Sequence, residues 1–125
     1  MNENINTLKI AEKESQPIFL DEGKGEIQEV ESCVRKGFKI LILKVKHIKS
    51  GQIIEISKIK IISNNKLTTK SLFLSLNNEG DILRNSAVGE LLIFFNKKSV
   101  GELIGQEVDL IQEGEGGFLC IKAYK

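Results

Sequence analysis

Ten cationic side chains fall between Arg35 and Lys70 against one anion, Glu55, a local net charge of +9 in a chain whose total is only +1. They are Arg35, Lys36, Lys39, Lys44, Lys46, Lys49, Lys58, Lys60, Lys66 and Lys70. Ammonium and guanidinium groups at this density suit phosphate, and a local field attracts a polyanion even from a near-neutral protein. Single-stranded nucleic acid also needs flat faces on which bases stack, worth ~1–3 kcal/mol per base. Phe38 stands near the head of the block, Phe73 just beyond it and Tyr124 near the chain end. Phe38, Lys39, Lys44, Lys46, Lys58, Lys60 and Lys66 are therefore the candidate nucleic-acid contacts. The same residues have a plainer reading, with Phe38 in the core and the lysines on a solvated sheet face, where they guard an edge strand against aggregation.

Other chemistries are thinly represented. His47 is the only histidine and has no second ligand at a recognisable spacing, so no metal site is expected and a neutral surface or half-buried side chain is. Cys33 and Cys120 are far apart without a CxxC, which fits two buried reduced thiols in a cytoplasmic protein; a long-range disulfide is the other reading. Asp81, Glu90, Glu107 and Asp109 form no recognisable acid–base or metal pair. No nucleophile elbow, zinc-protease motif or P-loop occurs. Gly114, Gly116 and Gly117 sit in an acidic connection that suits a hairpin turn better than a phosphate cradle. The residues make no case for an enzyme or a cofactor.

The remaining charge is distributed so as to balance the block. Residues 1–34 hold eight acids against three lysines, and residues 71–125 hold eight acids against five cations. A chain of 125 residues, 41% hydrophobic and 28% charged, is long enough for a single domain with one core. No apolar run approaches the ~20 residues of a membrane-spanning helix, and the first residues lack the pattern of a secretory signal. Residues 1–24 read as a polar leader interrupted by Pro17 and Gly23, leaving 25–125 as the domain.

Within that domain the patterning is mainly β. Strands are expected over 26–34, 38–49 and 52–63, with turns at Arg35-Lys36-Gly37, Ser50-Gly51 and Asn64-Asn65. Apolar residues on both faces near 40–43 suit a strand buried on both sides for part of its length. The apolar face shifts between Ile56 and Ile59, which points to a bulge near Ser57-Lys58. A further short strand is expected over 70–76. The period then changes: Val88, Leu91, Leu92 and Phe95 predict a helix over 86–96 capped by Asn85 or Ser86. Ser99 and Glu102 match a capping box for a short helix that ends at Gly105. Strands over 107–111 and 118–124 close the chain, and Phe94, Phe95 and Phe118 are expected in the core. This order favours a small five-stranded barrel of the oligonucleotide-binding (OB) type, with a helix between strands three and four, plus the extra strand and the leader.

The segments Ser86-Ala87-Val88-Gly89 and Ser99-Val100-Gly101-Glu102-Leu103-Ile104-Gly105-Gln106-Glu107-Val108 resemble a pattern in OB-fold-like proteins of phages, plasmids and archaea. There a small-residue helix start leads into a D/S-x-x-E-L-I-G-K-x-V turn before strand four; Gln106 stands where lysine is more usual. The resemblance covers roughly the last third of the chain. It implies the fold, and its better understood members resemble single-stranded nucleic-acid binders. The expected function is thus non-enzymatic binding of single-stranded DNA or RNA with little sequence preference. About four neutralised phosphates would give a salt slope near −3. The alternative is a protein-interaction module or homodimer, and a related expectation is that the leader masks the basic face.

Overall fold

The computed structural model describes residues 20–114 and 118–125. The protein is mainly β. Among the described residues the strands are β1 (Gly23–Arg35), β2 (Phe38–His47), β3 (Ile53–Ile56), β4 (Lys58–Ser63), β5 (Lys66–Ser71), β6 (Glu107–Gln112) and β7 (Leu119–Lys122). One helix, α1 (Ala87–Phe94), and a 3₁₀ turn (Val100–Leu103) lie between β5 and β6. The leader reading falls largely on residues 1–19, outside the described residues, as does the tip of the β6–β7 connection. No helix among the described residues is long and apolar enough to cross a membrane.

Local chemistry sets the turns. Lys36 and Gly37 adopt positive φ (52° and 82°), as do Asn64 and Asn65 (52° and 65°). This handedness matches the twist of the flanking strands in a two-residue hairpin, and it joins β1 to β2 and β4 to β5. Both turns fall where the sequence places them. β2 ends at His47, whose carbonyl accepts the Gly51 N–H at 2.7 Å, so the strand is two residues shorter than expected.

The seven strands form one mixed sheet in the order β3-β2-β1-β6-β7-β4-β5, with β4 and β7 parallel and every other pair antiparallel. Its order is open rather than the closed ring of five strands expected, and two local events account for the extra strands. At Ser57 the chain leaves the ladder with β2 and enters the ladder with β7, which divides the expected third strand into β3 and β4. The Ser57 carbonyl instead accepts the Leu72 N–H at 2.8 Å. The Asn64-Asn65 turn then starts β5 immediately, so the extra strand is 66–71 rather than 70–76. Residues 72–74 run beside the first half of β2, with Leu41 N–H donating to Leu72 O and Leu74 N–H to Lys39 O.

β1 also starts earlier than its glycines suggest. Gly25 is buried, and a Cβ there would lie 2.8 Å from the side chains of both Leu110 and Val45. Glycine is thus used for close packing where β1 passes between β2 and β6, rather than for a break. The loose alternation of β1 has a cause too: the register shifts between Ile27 and Glu29.

One face of the sheet encloses a single core. It includes Ile27, Leu41, Leu43, Val45, Ile56, Ile59, Ile61, Val108, Leu110 and Ile121, covered by Val88, Leu91 and Leu92 of α1 and by Leu103. Each fully buried aliphatic side chain of this kind contributes about 1.5–3 kcal/mol. The Ser86 hydroxyl caps α1 by accepting the Gly89 N–H at 3.1 Å, as expected. The Ser99 capping box does not form. Ser99 makes no side-chain cap, and Glu102 Oε2 accepts the Lys98 N–H at 2.8 Å instead. Phe94 and Phe95 pack against the core as expected, whereas Phe118 is 56% exposed. It stands just before β7, on the parity opposite the core-facing Ile121.

Candidate nucleic-acid interface

Register divides the candidate contacts between surfaces. In β2 the core face is Leu41, Leu43 and Val45, which leaves Phe38, Ile40, Ile42, Lys44 and Lys46 on the outer face. Phe38 therefore accompanies the lysines outside rather than entering the core. Lys58 and Lys60 lie on the outer side of β4, opposite the core-facing Ile59 and Ile61. Lys66 pairs with Ser63 on the other parity, and Lys39 shares the parity of Leu41 but is exposed at the start of β2. The structure thus places Phe38, Lys44 and Lys46 on one face of β2 with the buried Ile40 and Ile42 between Phe38 and Lys44, holds Lys58 and Lys60 on another strand, and leaves Lys66 apart.

Pairing separates these lysines further. Lys44 is half-buried and flanked by acids, with its Nζ 3.1 Å from Glu31 and 3.7 Å from Glu29. The hydrogen bond and charge of Glu31, then the charges of Glu29 and Glu55, raise the Lys44 ammonium above the usual lysine range. Glu26 stands across from Lys46. Lys58 is engaged by Glu113 at 2.7 Å, and Lys60 donates to the Gln112 carbonyl at 2.9 Å. Outside the candidate set, Lys49 lies 3.9 Å from Asp21, and Lys70 lies 3.9 Å from Glu90 on α1. Three of the eight acids in residues 1–34, Glu26, Glu29 and Glu31, therefore lie on the outer face of β1, set directly against β2. Glu29, Lys44 and Glu55 also line a shallow cleft of about 470 Å³ with Gln28 and Ile53, and its two carboxylates outnumber its ammonium.

The start of β2 is different. Phe38 is 65% exposed and meets the 44%-exposed Phe73 edge-to-face, with ring centroids 6.0 Å apart and planes at 70°. Ile40 forms a bridge with Phe73, and that backbone contact holds the second ring beside the first. Arg35 is the register partner of Phe38, Lys36 occupies the turn and Lys39 follows. All three cations are exposed and, among the described residues, none forms an ion pair. Two accessible aromatic rings and three unneutralised cations thus share one hairpin tip. Phe73, Arg35 and Lys36 are absent from the candidate set read from the sequence. The two cations were visible in the basic block, but no signal there separates paired cations from unpaired ones.

His47 has a structural role. His47 is 1% exposed, not at the surface. Its Nδ1 accepts the Ser50 N–H at 3.1 Å and lies 2.8 Å from Ser50 Oγ, while Nε2 is 2.7 Å from the Asp21 carbonyl oxygen. A carbonyl only accepts, so Nε2 carries the proton and the ring pins residue 21 to the β2–β3 turn. Both cysteines are free. Cys33 is half-buried, and Cys120 is buried, which pushes its thiol up to about 11. Among the described residues no His, Cys, Asp or Glu side chains cluster as metal ligands. Comparison of the chain with family models, with curated proteins and with solved structures found no match.

Proposed function

We propose that the protein is a non-enzymatic binder of single-stranded nucleic acid, with little sequence preference, that works from the β1–β2 hairpin tip. The observation that carries this reading is the exposed Phe38–Phe73 pair beside the unpaired Arg35, Lys36 and Lys39. Each ring offers a face or edge to an unstacked base, and the cations neutralise adjacent phosphates. Lys46 extends the strip along β2, eight residues from Phe38 and so roughly 27 Å away. Lys44, Lys58 and Lys60 already have partners and contribute less.

An OB-like architecture accords with this reading. β3 and β4 are separated only by Ser57, and together they pair with β2 on one side and β7 on the other. Taken as one kinked strand, they would link the chain of neighbours β2-β1-β6-β7 back upon itself. Ile56 of β3 and Ile59 of β4 share one core with β6 and β7, which favours such curvature. The helix that precedes β6 accords with the resemblance noted in the last third of the chain.

The test is fluorescence anisotropy with labelled DNA and RNA oligonucleotides across a salt series. Three phosphate contacts give a slope of log K against log salt of about −2. Absence of binding at low salt, or salt-insensitive binding, contradicts the proposal.

One observation favours a second reading, self-association. Ile62 and Leu67 are register partners on the outer side of the β4–β5 hairpin and are 52% and 53% exposed, with β5 at the edge of the sheet. A homodimer through this edge predicts a concentration-dependent mass by light scattering, which Leu67→Lys abolishes.

A further inference from the structure

We propose that the cleft between residues 80–84, α1 and residues 97–100 is a second anion site, which takes the terminal phosphate groups carried by a nucleotide. The inference is independent of the hairpin tip, because it rests on different residues. The cleft has a volume of about 460 Å³, within the range of small-molecule sites, ~300–1,000 Å³. Arg84, Lys97 and Lys98 line it against a single carboxylate, Asp81, with Ile82 and Leu92 as apolar wall. Among the described residues none of these three cations forms an ion pair. The Ser99 hydroxyl lines the same cleft and makes no cap bond. Three positive groups, a spare hydroxyl and an apolar wall form a donor set for phosphate beside a surface for a ring.

The backbone holds these groups in place. The Leu83 N–H donates to the Ser75 carbonyl at 2.9 Å, and the next residue is Arg84. A Cβ at Gly89 would lie 2.1 Å from the Leu83 carbonyl oxygen and 2.7 Å from that of Arg84. Glycine in α1 therefore lets the Arg84 segment lie directly on the helix. On the other lip, Asn96 has φ 56° and ends the helix, while the Lys97 N–H returns to the Leu92 carbonyl at 2.8 Å. The Glu102 carboxylate fixes the Lys98 backbone N–H, which leaves the ammonium free.

The experiment is an amide-resolved NMR titration of the full chain with inorganic pyrophosphate, with ATP and with a 5′-phosphorylated oligonucleotide. Saturable shifts at Arg84, Gly89, Lys97 and Ser99 are expected, with Arg84→Ala and Lys98→Ala each weakening the affinity at least about tenfold. Phe38→Ala leaves the shifts induced by pyrophosphate unchanged, since that probe has no base to stack. A response to ATP supports a free nucleotide as the phosphate source, and a response confined to the oligonucleotide supports a strand end. The site is overturned if none of the three probes shifts these amides saturably. It is also overturned if folded Arg84→Ala and Lys98→Ala proteins bind as tightly as the parent.

Discussion

The middle of β2 and its first residues carry the same kind of charge and present it in opposite ways. At Lys44 the outer face is a ladder of alternating sign, Glu29 and Glu31 on β1 and Glu55 on β3 against one ammonium. At Phe38 the acids stop, the aromatics begin, and Arg35, Lys36 and Lys39 have no anionic partner among the described residues. The same strand thus has a region that satisfies itself and a region that does not. Exposed ion pairs contribute only ~0–1 kcal/mol, so the ladder serves register more than stability. The lesson is that cation density along a chain measures binding capacity only after cross-strand neighbours have been subtracted.

The largest effect is expected from removing the rings. Phe38→Ala with Phe73→Ala weakens single-strand affinity roughly 30-fold or more, from stacking energies of ~1–3 kcal/mol per base. The melting temperature should fall little, since both rings are substantially exposed. Anisotropy with a labelled oligonucleotide checks the first part and thermal denaturation the second. An equal loss from Phe94→Ala at unchanged stability would contradict the assignment of stacking to the two exposed rings.

Next comes the charge of the tip. Arg35→Ala, Lys36→Ala and Lys39→Ala combined should flatten the salt slope by about 2, at ~0.7 per phosphate contact. A slope that stays as steep as the parent's would move the phosphate contacts elsewhere. A smaller effect of opposite sign sharpens the contrast: Glu29→Gln with Glu31→Gln releases Lys44, and affinity at low salt should rise by roughly two- to fivefold. Smallest is Lys44→Ala, expected to change affinity less than about twofold and stability by no more than ~1 kcal/mol. Anisotropy and urea denaturation measure these last two.

Local features were legible in the sequence because their causes are local. Asn64-Asn65 and Lys36-Gly37 are turns by their own backbone preferences, Ser86 caps its helix, and the shift of apolar face at Ser57 marks where the strand divides. What failed depended on distant residues. Nothing near Gly25 reveals that Leu110 and Val45 leave no room for a side chain. Nothing near His47 reveals that Asp21 supplies the acceptor that makes burial tolerable. The pairing of the candidate lysines depends on distant residues in the same way. Glu29 and Lys44 are 15 positions apart and Phe38 and Phe73 are 35 apart, so neither the neutralisation nor the aromatic pair leaves a mark in a local window.

Under the proposal the hairpin tip, and not the lysine-rich middle of β2, carries single-strand binding. Phe38→Ala and Lys44→Ala compared side by side, by anisotropy at one low salt concentration, test it most directly. Binding at least about tenfold weaker is expected for Phe38→Ala, and nearly parental binding for Lys44→Ala. The reverse order, or equal losses from the two, contradicts it.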